Sequence, residues 1–271
     1  MIGVFVCAGL GNRLFQIVFA FALAKKLSIA FKFENEKRRH HHSYNTYDWL
    51  IQRFMELPNY EANSVSYTNE YREHYYSFTS YINLEELDFK NRNILCCGFF
   101  QNENYFKDYR EDILKLLKEP DEVTAFISSY SKHILHNAYF LHIRLGDYVG
   151  CSKHWVDLSN YYLSILKTLE PTNYILVFSN QINMINQIYP EVYNAIKTKN
   201  HVFVQESDEI KNLYLMKHCY KGGICSNSTF SWWGAWLNEN PDKKVYFPKK
   251  WINDDHFIPD IYFQHSIVVD V

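Results

Sequence analysis

Tyr139-Phe140-Leu141-His142-Ile143-Arg144-Leu145-Gly146-Asp147-Tyr148 is an apolar run that stops abruptly in a charge and a glycine. A short apolar run bounded by turn signals reads as a strand buried on both faces, the kind a parallel sheet requires. Side chains alternate along a strand, so His142 and Arg144 share a face at its carboxyl end. Downstream, the pattern alternates: helix Asn160–Leu169, strand Tyr174–Phe178, helix Ile182–Ile196, strand His201–Val204, helix Asp208–Lys217, strand Gly223–Cys225, helix Thr229–Asn238 and strand Val245–Phe247. Upstream, a strand over about 2–7 runs into Gly9-Leu10-Gly11, helix Leu14–Leu27 and strand Ile29–Phe33. A further strand follows near Ile94–Phe100, then helices over about 104–117 and 121–135. Strands alternating with helices predict an α/β fold with parallel sheets. Two such series predict two Rossmann-like domains, 1–135 and 136–271, facing across a cleft. Ligands of such sheets bind beyond the carboxyl ends of the strands, so the loops after strands carry the interest.

Composition narrows the classes. The chain has 271 residues, 47% hydrophobic and 21% charged, with a formal net charge of −2. That apolar content excludes disorder, and the balanced charge argues against nucleic acid as a partner. No apolar run reaches the roughly 18 residues of a membrane-spanning helix, although peripheral contact with a membrane stays open. The first eight residues are apolar but short and lack a basic lead, which favours a buried first strand over a signal peptide. Six cysteines without a C-x-x-C pair or zinc spacing read as free thiols, and a cytoplasmic location is expected. The adjacent His40, His41 and His42 do not converge on a metal from one element and read as an exposed loop.

Three motifs carry chemistry. Gly9-Leu10-Gly11-Asn12-Arg13 supplies a strand–turn–helix, but Leu14 stands where the third glycine of a dinucleotide fingerprint belongs. The helix start still offers backbone N–H groups with Asn12 and Arg13 beside them; a simple tight turn is the alternative. Arg144 beyond its strand suits a bidentate phosphate contact, or else pairs with Asp147 inside the loop. Ser226-Asn227-Ser228-Thr229-Phe230 puts hydroxyls and free backbone donors at a helix start, fit for a phosphate or for ordinary capping. Arg144 and this helix start together make a diphosphate site. No acidic cluster suited to a divalent metal accompanies them, so the cationic work falls to Arg144.

Taken with Gly98-Phe99-Phe100-Gln101-Asn102-Glu103-Asn104-Tyr105-Phe106 and Leu213-Tyr214-Leu215-Met216, these motifs resemble, in order and over nearly the whole chain, the α-1,2-fucosyltransferase family. The resemblance implies a GT-B architecture, GDP-β-L-fucose as donor, transfer to a galactose 2-hydroxyl with inversion, and no metal or other cofactor. Its partners would be a nucleotide sugar and an oligosaccharide acceptor. By position, Arg144 would hold the β-phosphate and His142 would lie beside it against the nucleotide. Ser228 and Thr229 would donate to the diphosphate, Phe230 would pack nearby, and Asn12 would close over the phosphate or fucose. Family members often carry an acidic pair where Ser179 is followed here by Asn180 and Gln181; Asn180 could still accept from guanine through its amide oxygen. Leu145 stands where a second Arg is frequent, and Asn212 where an Asp is frequent. Asp147 and Glu103 are the candidates for a general base. Residues of the acceptor site are not assigned. A transferase using another nucleotide sugar and a catalytically inactive glycan- or nucleotide-binding module are the alternatives.

Overall fold

The computed structural model describes residues 1–35, 52–74 and 77–271; the three histidines at 40–42 lie outside these. The chain divides into two compact units, Met1–Lys118 and Glu119–Val271, while the sequence pattern places the division after residue 135.

In the first unit, β1 (Ile2–Val6), β2 (Phe31–Asn35), β3 (Asn69–Arg72) and β4 (Ile94–Cys97) form a parallel sheet in the order β2-β1-β4-β3. Helix α1 (Leu10–Leu27) follows β1 and is apolar nearly all round, so it is buried from Leu10 to Ala24 apart from Asn12 and Arg13. It closes on Lys25 and Lys26, cations that suit a helix carboxyl end, and on Ser28 in the left-handed conformation. The helix begins at Leu10, not Leu14, because Gly9 leaves the strand turn directly into it. The long helix expected over 104–117 is two 3-10 turns followed by α2 (Arg110–Leu116).

The second unit holds α3 (Asp121–Ser128), α4 (Lys132–His136), β5 (Ala138–Ile143), α5 (Ser159–Thr168), β6 (Tyr174–Ser179), α6 (Ile185–Ile188), α7 (Pro190–Lys197), β7 (Asn200–Phe203), α8 (Glu209–Lys217), β8 (Gly222–Ile224), α9 (Thr229–Leu237), β9 (Lys244–Pro248) and β10 (Ile267–Val269). Its six strands are parallel, in the order β10-β9-β8-β5-β6-β7. Counted within this unit, that is the 3-2-1-4-5-6 order of a dinucleotide-type sheet, with its topological switch between β5 and β8. Every residue of β5 is buried, as its continuous apolar run requires of a central strand. One side of the sheet packs Leu141, Ile143, Ile175 and Val177 against Tyr161, Tyr162 and Ile165 of α5. Helix α9 buries Trp232, Trp233 and Trp236 and lies close to α8, where a Cβ at Gly234 would meet Met216 Cβ at 2.8 Å. Proline at the start of α7 splits the helix expected over 182–196, since Pro190 cannot donate back to the preceding turn.

Candidate active site

The switch between β5 and β8 brings the second and third motifs side by side. His142, the fifth residue of β5, is 3% exposed, and its Nδ1 lies 2.8 Å from Ser226 Oγ just beyond β8. The Tyr162 hydroxyl donates to the His142 carbonyl oxygen at 3.0 Å, and the Phe230 ring lies 5.7 Å from the imidazole. Burial, reinforced by the Arg144 charge, pushes the His142 pKa down to about 3, so the ring is neutral at ordinary pH.

Arg144 is the first residue past β5. Its guanidinium bonds Asp147 Oδ1 at 2.5 Å and lies 5.2 Å from the Tyr148 ring centroid. Asp147 is largely exposed, while Arg144 keeps only 23% of its side chain in solvent. The loop salt bridge expected as an alternative is thus present in the structure. Tyr148 continues the link: its hydroxyl donates to the Asn227 carbonyl at 3.4 Å, and its ring stacks on His154. Asn227 in turn donates to the carbonyls of His154 and Trp251. The arginine loop and the serine-rich turn are therefore stitched together at two points, His142–Ser226 and Tyr148–Asn227.

Ser228 is the N-cap of α9, accepting from the Phe230 N–H at 3.4 Å. Its carbonyl accepts from the Ser231 hydroxyl and the Trp232 N–H. Thr229 and Phe230 occupy the first turn, so the backbone donors of this helix start beside Ser226. Asn180 acts on the arginine loop from beyond β6. Its amide oxygen accepts from the Leu145 N–H at 2.9 Å, and its nitrogen sits 2.3 Å from where a Cβ on Gly146 would stand. Gly146 has φ +63°, so both the conformation and the space call for glycine.

The other expected residues lie in the first unit. Asn12 is in the first turn of α1, and its Oδ1 accepts from Gln101 Nε2 at 2.9 Å. Gln16 accepts from the Cys7 N–H at 2.9 Å and donates to the Gly98 carbonyl at 2.8 Å, joining the loops beyond β1 and β4. Ala8 and Phe100 both hold positive φ there, at +67° and +51°. Glu73, beyond β3, accepts from the Phe99 N–H at 2.6 Å. Burial pushes its pKa up to about 7 against those backbone donors. Glu103 opens a 3-10 turn whose N-cap, Asn102, accepts from the Asn104 N–H. Among the described residues no group of three or more His, Cys, Asp or Glu could hold a metal ion, and no helix is long and apolar enough to cross a membrane.

Sequence reasoning missed Tyr148, Ser226 as the partner of His142, and the Asn180 clamp. The signal for Ser226 was its place directly after a strand, but pairing it with His142 needs the strand order.

The fold and this site define a GT-B protein in which an arginine loop and a serine-capped helix start are stitched together at the switch of the second sheet. The description of glycosyl transferase family 11 matches residues 68–266, and the chain belongs to that family. It is similar to the O-antigen biosynthesis glycosyltransferase WbnK of Escherichia coli, 28% identical over 287 residues, covering 90% of this chain and 92% of that protein. It also resembles an alpha-1,2-colitosyltransferase of Escherichia coli, 28% identical over 162 residues, 57% of this chain and 54% of the other. Among solved structures, the alpha-1,6-fucosyltransferase NodZ, soaked with GDP-fucose, superposes with a TM-score of 0.50 at 13% identity. That match spans 87% of this chain and 92% of NodZ. The chain is a fucosyltransferase-like glycosyltransferase.

Proposed function

We propose that this glycosyltransferase moves L-fucose from GDP-β-L-fucose to the 2-hydroxyl of a galactose-terminated glycan, with inversion and without a metal ion. The observation that supports it most is the stitching of Arg144 and the Ser228-capped helix start into one corner. As the acceptor hydroxyl attacks the fucosyl C1 from the opposite face and gives its proton to a carboxylate base, the C1–O bond to GDP breaks and its electron pair settles on the β-phosphate. Once Arg144 has exchanged Asp147 for the diphosphate, it and the donors of α9 meet that charge in place. Asp147 pairs with the guanidinium, so an arriving diphosphate competes with that carboxylate. Release would leave Asp147 as an exposed carboxylate, one of the two base candidates with Glu103.

Mass spectrometry of GDP-fucose incubated with galactose-terminated oligosaccharides tests this directly, and NMR of the product reads linkage and anomeric form. Binding of GDP with no transfer to any acceptor would reduce the chain to a binding module. A second reading, another deoxysugar on the donor, draws on the similarity to a relative named for colitosyl transfer. A thermal-shift panel of nucleotide sugars separates the two.

A further inference from the structure

The donor reading uses the His142–Ser226 contact only as a brace between two loops. Ser226 is fully buried, and among the described residues its hydroxyl has one hydrogen-bond partner, His142 Nδ1 at 2.8 Å. Two arrangements satisfy that contact. In the first, Nδ1–H donates to the serine oxygen, and the serine's own proton is buried with nothing to accept it. In the second, the serine O–H donates to a bare Nδ1, and only an oxygen lone pair goes unused. Orphaned buried donors are rarer and costlier than under-used acceptors. The second arrangement therefore prevails, and it puts the single proton of the neutral imidazole on Nε2. The low pKa of His142 keeps the ring from evading the choice by taking a second proton. Nε2 has no protein partner among the described residues and is not one of the buried unpartnered atoms, so it keeps some contact with solvent.

The geometry points to Ser226 as a positioning residue that locks His142 as an Nε2–H donor, presented beside Arg144 to the diphosphate of a nucleotide sugar. The ligand in this assignment rests on the donor reading; the tautomer does not. Turned to the other tautomer, His142 would offer a lone pair to the same anion and repel it. Ser226 thus decides whether the histidine adds to the field of Arg144 or works against it.

Ring nitrogen-15 NMR of the free wild-type protein reads the tautomer, with the His142 signals assigned by their loss in His142→Asn. A protonated Nε2 and a bare Nδ1 are expected. Ser226→Ala should give a mixture of tautomers and weaken GDP binding about 10-fold, the scale set by losing the outer partner of a functional imidazole. The KM for acceptor should not move, and Ser226→Thr, which keeps the hydroxyl, should restore both signals. A protonated Nδ1 in the wild type overturns the assignment, as does a Ser226→Ala protein with unchanged tautomer and GDP affinity. If Ser226→Ala does not fold, the wild-type spectrum decides alone. A correct tautomer in a chain that binds no GDP would refute the diphosphate as ligand; a wrong one in a chain that binds GDP would refute the role of Ser226.

Discussion

Beyond β1 and β4 in the first unit, the loops are joined by neutral groups: Gln16 bridges Cys7 and Gly98, and Gln101 donates to Asn12. Beyond β5 and β8 in the second unit, the corresponding loops carry a guanidinium, a buried imidazole and a capped helix start. Two half-buried carboxylates follow the same division. Among the described residues the Glu73 carboxylate in the first unit accepts only from backbone N–H groups, and burial lifts its pKa to about 7. For Glu119 in the second unit, burial also pushes upward, but bonds from His218 and Lys217 outweigh it and hold the pKa at about 2. The difference teaches where charge can be handled. The second unit gathers charge and charge-stabilising partners, whereas the first meets its loops with neutral amides.

The largest expected effect follows from removing the cation. Arg144→Ala should cut transfer by roughly 10²–10³-fold, the usual loss when one preorganised donor to a developing anion is deleted. Arg144 is a loop residue outside the apolar core, so the variant's thermal midpoint should stay near that of the wild type. A folded Arg144→Ala enzyme with near-normal turnover would dissolve the contrast between the units.

Glu119 sharpens the contrast through stability. Its Oε1 sits 2.9 Å from both Lys217 Nζ and His218 Nε2, with 16% of the side chain exposed. A carboxylate whose folded pKa is depressed adds stability above its ordinary value near 4.5 and loses it as pH falls toward 2. Glu119→Gln should therefore cost about 2 kcal/mol at neutral pH, and the gap to wild type should close between pH 5 and 2. Denaturant titrations across that range check it; a constant gap would mean that Lys217 and His218 do not act on this carboxylate.

How much of this was legible beforehand depended on the distance over which the signal travels. The apolar run ending at Arg144 declared both a central strand and a charge at its mouth, since each follows from a few consecutive residues. The Ser228 cap was equally local. Strand β3, by contrast, reads Asn-Glu-Tyr-Arg and lies exposed at a sheet border, so no buried face imposes alternation on it. Strand β10 has three residues and the same border position. The His142–Ser226 contact spans 84 positions and exists only because β8 pairs with β5 while β6 and β7 lie on β5's other flank. Asn180 illustrates the same limit: in sequence it suggests base recognition, but its oxygen is engaged by the Leu145 N–H, 35 positions away.

That clamp yields the next test. At Gly146 a methyl group would face the Asn180 amide at 2.3 Å and a φ of +63°. The left-handed conformation alone costs an L-residue roughly 1–2 kcal/mol, and Asn180 would have to give way as well. Gly146→Ala should misplace the loop that carries Arg144 and weaken GDP binding about 10-fold, which 1–2 kcal/mol brackets. Calorimetry measures it, and unchanged affinity would show that the loop finds its bound form without the clamp.

Asp147→Asn is expected to act least and in the opposite direction. Its carboxylate holds Arg144 but is 67% exposed, and exposed ion pairs contribute at most about 1 kcal/mol. Removing the competing charge should free the guanidinium and tighten GDP binding by up to about 5-fold. The same variant separates two roles. If Asp147 only shields Arg144, turnover at saturating donor stays level while donor affinity rises. If it also takes the acceptor proton, kcat falls while GDP affinity still rises, because binding and proton transfer draw on the same carboxylate at different moments. Weaker GDP binding in Asp147→Asn would contradict both roles and show the pair to be a brace that keeps Arg144 pointed at its ligand.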